Sequence, residues 1–205
     1  MKVIIFSLIF LISQTLLFAQ NKEVKKINCD SIYNEKGYSV SLEFDPKDEN
    51  WDETQSNVVF TFSKKIDGNE KIIYQEKIFS QFKNVEFIDF NGDGIKDILV
   101  ENTSDVRSNL TYNLFIIDFK NQKLRKIEGF EEIKNPNYLK EYDLIDCMVM
   151  SGRNWTSFYK IEGNKVKDFG YVIEDGEDEN GKDLEYDKNY ELTLAKILKS
   201  EKKKK

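Results

Sequence analysis

The feature that most constrains the fold is a series of short segments in which every second residue is apolar, broken by polar turns. In Tyr38-Ser39-Val40-Ser41-Leu42-Glu43-Phe44 the alternation is complete, which is the pattern of a strand with one buried face. Val58-Val59-Phe60-Thr61-Phe62 behaves similarly, and Ile72-Ile73-Tyr74 with Ile78-Phe79 follows after Asp67-Gly68, a pair suited to a hairpin turn. Val85 to Ile88, Ile98 to Val100, Leu110 to Phe119, Leu144 to Met150 and Ser157 to Ile161 read as further strands, and Gly163-Asn164 turns the chain into Val166 to Val172. Tyr190 to Leu194 is expected to close the sheet as a last strand, while Glu131 to Tyr142 holds at most a helical turn. The expected fold is therefore mostly β, an antiparallel meander that is partial-propeller or barrel-like.

Between two of these strands lies Asp89-Phe90-Asn91-Gly92-Asp93-Gly94-Ile95-Lys96-Asp97. Oxygen-bearing side chains fall at loop positions one, three, five and nine. Ca²⁺ takes six to eight oxygens at about 2.3–2.6 Å, and a tight loop supplies them by alternating ligands with small or outward residues. Asp89, Asn91, Asp93 and Asp97 are the expected side-chain ligands, with the carbonyl of Ile95 added after the turn that Gly94 permits. An EF-hand would need Glu at position twelve, where this chain has Val100. Two further acidic segments, Asp45 to Asp52 and Glu174 to Asp187, also offer oxygen ligands for calcium, but the spacing of Asp178 to Asp183 in the second does not match this loop, and that segment reads as a solvated acidic loop.

Lys2, an apolar run to Phe18 and the small Ala19 have the form of a signal peptide over residues 1–19, followed by one β-rich domain over 20–198 and a charged tail over 199–205. The expected location is periplasmic or secreted, with no stable membrane span after cleavage. Loss of the leader removes only Lys2 among charged residues and moves the net charge from −6 to −7, which disfavours nucleic acid as a partner. The chain contains no histidine, so every His-based triad, general base and metal site is excluded. Its two cysteines, Cys29 and Cys147, are expected to pair in an oxidising compartment. Such a bridge would be worth about 4 kcal/mol in the chain-entropy model; two separate buried thiols are the other arrangement open to them.

The stretch from Val85 to Val100, with Asp97 at loop position nine and strands on either side, resembles the calcium loop of FG-GAP and VCBS-type β-propeller repeats, in a single copy. Taken with Tyr112-Asn113-Leu114-Phe115, Asn135-Pro136-Asn137-Tyr138 and Tyr159 to Val166, the order resembles small exported bacterial proteins that include periplasmic inhibitors of lysozyme-like peptidoglycan hydrolases. That resemblance implies a non-catalytic, calcium-braced protein whose partner is such a hydrolase. Arg153, Asn154 and Trp155, after Ser151-Gly152, are the expected contacts, because Arg and Trp are enriched at binding hot spots. A carbohydrate-binding or adhesion module of the envelope is the alternative, with Trp51 and Trp155 available to stack on sugar rings. Enzymatic function is disfavoured, since no pair of carboxylates is fixed at a working separation by any motif.

Overall fold

The computed structural model describes residues 22–47 and 52–203; the expected leader, Trp51 and the last two lysines lie outside them. β1 (Glu23–Asn28), β2 (Tyr38–Phe44), β3 (Val58–Ile66) and β4 (Asn69–Ile78) form one sheet in sequence order. β5 (Val85–Ile88), β6 (Asp97–Ser104), β7 (Leu110–Asp118) and β8 (Lys123–Lys126) form a second. The third contains β9 (Pro136–Leu139), β10 (Leu144–Val149), β11 (Trp155–Glu162) and β12 (Lys165–Asp168), with β13 (Ile173–Glu174) also paired to β11. Every strand pair is antiparallel. The expected β-rich meander is thus present as three open sheets, and none closes into a barrel. The turn residues act as their chemistry dictates: Asp67 and Gly68 both take positive φ between β3 and β4, the conformation of a two-residue hairpin whose twist matches its strands.

The alternation of side chains along the strands stacks these sheets in layers. Val40, Leu42, Phe60 and Phe62 of the first sheet pack against Ile98, Val100, Phe115 and Ile117 of the second, and the Phe60 and Phe115 rings stack at 4.1 Å. The intervening residues Leu99, Leu114 and Ile116 point the other way, onto Ile145, Cys147 and Val149 of the third sheet. The far side of the third sheet, through Leu144 and Phe158, is covered by an α-helix, α1 (Tyr186–Lys202), which contributes Ile197 with the partly buried Tyr190 and Leu194. The middle of the second sheet is therefore buried on both faces, and its central strands β6 and β7 carry continuous apolar runs for that reason.

Three expectations are corrected. Tyr190 to Leu194 belongs to α1 and not to a closing strand, and the boundary expected after residue 198 falls inside that helix. Tyr186, Tyr190, Leu194, Ile197 and Leu198 recur at helical spacing and meet the third sheet. Glu201 holds the last turn down, accepting from Lys167 Nζ at 2.7 Å. No disulfide joins Cys29 to Cys147: both are free and buried. Their positions explain this, since Cys29 follows β1 and belongs to the first core cluster, whereas Cys147 lies in β10 within the second, on the other side of the middle sheet. Burial pushes the Cys29 thiol up to about 11 and raises that of Cys147 as well, so both are poor nucleophiles at neutral pH. Reductant is expected to leave the intact mass unchanged, with two alkylations in denaturant without reductant and none in brief native labelling. Two alkylations that appear only after reduction would contradict separate thiols.

Candidate metal centre

The loop joining β5 to β6 is anchored at both ends by strand pairing, with Ile88 opposite Asp97. Its apolar residues pin it between layers: Phe90 is buried in the second cluster, edge-on to Phe130 at 5.3 Å, and Ile95 packs against the first. The polar residues close the turn. Asp89 accepts from the backbone N–H of Gly92 at 2.7 Å and of Gly94 at 3.0 Å, Asn91 from Asp93 at 3.0 Å, and Asp93 from Ile95 at 2.7 Å. Asn91 Nδ2 also donates to Asp93 Oδ2 at 2.9 Å. Gly92 has φ +74°, a conformation that favours glycine, and a Cβ there would stand 2.9 Å from the Tyr138 hydroxyl, which would have to shift.

Asp97 sits beneath the loop with no exposed surface. Its two oxygens accept from Phe90 N at 3.0 Å and Ile117 N at 3.3 Å. Among the described residues no Lys or Arg lies within ion-pair distance of it; the cation beside the loop, Lys140, is 3.8 Å from Asp89. Burial pushes the Asp97 carboxyl up to about 7, the two N–H donors pull it down, and the charges of Asp93 and Asp89 add to the rise.

These residues fit a hard cation by chemistry. All the side-chain donors are oxygens, the buried Asp97 carboxyl has no cationic partner at ion-pair distance among the described residues and feels the charges of Asp93 and Asp89, and glycines give the tight turn. Among the described residues, however, no three acidic, His or Cys side chains stand grouped as a metal cluster, because the loop's carboxylates are turned onto its own amides.

The Asp97 shift has a sign that can be measured. A carboxyl whose folded value lies above its unfolded value near 3.8 stabilises the fold at low pH and loses that contribution as pH rises through the folded value. In chelator, stability is therefore expected to fall between about pH 4 and pH 7, by a few kcal/mol at most. Calcium should flatten or reverse the slope, since the metal favours the ionised form. Urea midpoints at several pH values, with and without calcium, check both statements. A chelated protein that gains stability over this window would contradict the buried, uncompensated carboxyl.

The residues expected to meet a partner lie elsewhere. Arg153 pairs with Glu174 at 2.9 Å, Asn154 closes its turn by accepting from Ser151 N at 3.2 Å, and Trp155 is half-buried against the second cluster. Their turn follows β10, whereas Tyr138 and Lys140, beside the Asp89–Asp97 loop, lie near the start of that strand. The two features thus occupy opposite ends of the third sheet. Next to the Arg153 turn stands the β6–β7 turn, tied to it by Asn109 Nδ2 donating to the Met150 carbonyl at 2.8 Å.

Sequence reading missed a polar groove at the edge of the first two sheets, formed by Asn102, Thr111 and Asn113 with Lys77 and Glu131. The one available signal was Asn113 beside the apolar run Leu114 to Ile117. Among the described residues no helix is long and apolar enough to cross a membrane. The chain matches no family model, no curated protein and no solved structure.

Proposed function

We propose that this chain is an exported, calcium-braced, non-catalytic binding protein that blocks a peptidoglycan hydrolase of the lysozyme-like class. The observation that carries the calcium assignment is Asp97, fully buried beneath Asp89 and Asp93 without a cationic side chain at ion-pair distance among the described residues. Asp89, Asn91, Asp93, Asp97 and the carbonyl of Ile95 would hold the ion. Bound there, Ca²⁺ would supply charge neutralisation and cross-link β5 to β6. The three sequential four-stranded meanders, packed face to face, are read as a partial propeller of three blades with α1 covering the last.

The partner-facing end is assigned to the paired turns opposite the calcium loop. Asp105 organises the β6–β7 turn by accepting from Arg107 N at 2.9 Å, Asn109 N at 3.1 Å and Lys134 Nζ at 2.9 Å. Contacts with the Asn109 side chain and Lys134 hold its carboxyl well below the usual carboxylate range. A turn fixed this firmly presents Val106, which is 101% exposed, next to Arg107 and alongside Arg153 and Asn154. A preorganised loop loses little entropy on binding. The absence of histidine supports a non-catalytic role, and the net acidic charge would speed encounter with a basic hydrolase.

Zymography against a panel of cell-wall hydrolases, with calcium and with chelator, tests the reading. Lysis should fall at micromolar protein in calcium, and Val106→Asp should weaken the effect by about tenfold or more. No bound hydrolase and unchanged lysis across the panel would overturn it.

A further inference from the structure

We propose that the groove between the first two sheets, floored by Asn102, Thr111 and Asn113, is a saccharide-binding site. The proposal is independent of the calcium loop and of hydrolase inhibition. By the alternation of β6 and β7, these three residues occupy the same inward face as Ile98, Val100, Phe115 and Ile117, which fill the core against the first sheet. At the edge of that core the side chains change from apolar to amide and hydroxyl, although they remain 8%, 4% and 3% exposed respectively. The pairing of β6 with β7 is irregular between Glu101 and Ser104, and an irregularity of this kind re-aims side chains. The space they line is about 410 Å³, within the range of small-molecule sites.

The hydrogen bonds show what the floor still offers. Asn113 Nδ2 donates to the Phe79 carbonyl at 3.1 Å, and Asn102 Nδ2 to Thr111 Oγ1 at 3.1 Å. Among the described residues nothing donates to Oδ1 of either asparagine. Glu131 Oε2, on the groove wall, is a buried acceptor without a donor among the described residues. Lys126 is engaged with Glu76 at 3.3 Å and Glu131 Oε1 at 4.0 Å, and Lys134 with Asp105. Lys77 makes no ion pair among the described residues and is left as a donor at the rim.

Unfilled acceptors beside a spare donor suit hydroxyl groups, each of which donates and accepts. Glu53, Glu131 and Glu132 among the lining residues oppose an anion, and Lys77, Lys126 and Lys134 oppose a simple cation. Buried amides oppose an apolar ligand, which would leave them unpaired. Ile78 and Phe79 supply an apolar wall for the C–H face of a sugar ring.

The test is a titration of isotope-labelled full-length protein with hexoses, N-acetylhexosamines and their short oligomers, followed through the side-chain amide signals of Asn102 and Asn113. At least one saccharide should shift both signals saturably, and Glu131→Gln, a change on the groove wall that preserves shape, should weaken binding by about tenfold. Tighter binding of an oligomer than of its monomer would assign the groove to a glycan chain, and equal binding to a free sugar. Signals unmoved by every saccharide at tens of millimolar, or moved equally by ethylene glycol, would overturn the proposal. Asn113→Leu provides a second check, because the backbone spectrum reports whether it folds: folded protein that still binds fully would also overturn it.

Discussion

Phe115→Ala is expected to cost about 4 kcal/mol of folding stability, the range for a buried aromatic truncated in a core that relaxes only partly. Phe115 is fully buried in β7, stacked on Phe60 with the ring planes 9° apart and edge-on to Tyr74 at 5.7 Å. It is one of the contacts that join the first sheet to the second. In a chain of this size the loss corresponds to a melting temperature lower by about 8–16 °C. Leu114→Ala, one residue earlier, removes a side chain from the opposite interface and is expected to cost about 3 kcal/mol. The urea midpoint should move in both variants with little change in slope. A Phe115→Ala loss below about 1 kcal/mol would contradict face-to-face packing of the two sheets.

Calcium at about 1 mM should raise the melting temperature of chelated protein by about 5–11 °C. The figure follows from a dissociation constant on the order of 10 μM, plausible for three carboxylates, which gives about 2.7 kcal/mol of linkage stabilisation. Asp93→Ala is the cleanest variant because Asp93 is exposed and its visible structural task is to cap Ile95 N and Asn91. It should stay within about 1 kcal/mol of wild type in chelator and lose the response to calcium. Magnesium should do far less, since it demands a smaller and more regular oxygen shell.

Much of the strand layout was legible, and the burial pattern explains which parts were. Tyr38 to Phe44 alternates because β2 has one face in the core and one turned outward, while Ile98 to Val100 and Leu114 to Ile117 run continuously apolar because their sheet is covered on both sides. α1 was hidden by its own middle: Tyr190-Glu191-Leu192-Thr193-Leu194 alternates like a strand over five residues, and only the wider spacing from Tyr186 to Leu198 shows a helical stripe. The cysteines were misread because compartment argues for pairing, whereas separation is set by which layer each strand joins. The turn from Asp89 to Asp97 was legible through its spacing of oxygen-bearing residues and glycines, since local turn chemistry dictates its hydrogen bonds; that it holds calcium is the proposal. The groove was not, because its residues come from β6, β7 and the 3-10 turn at Phe130–Glu132, and no short segment carries that juxtaposition.

The central claim is that residues Asp89 to Asp97 hold a calcium ion that braces the fold, and titration calorimetry of the chelator-treated protein tests it most directly. One site per chain, with a dissociation constant near 10 μM and no heat in Asp93→Ala, is the predicted result. Absence of calcium heat in wild-type protein, together with a melting temperature unmoved by chelator, would contradict it.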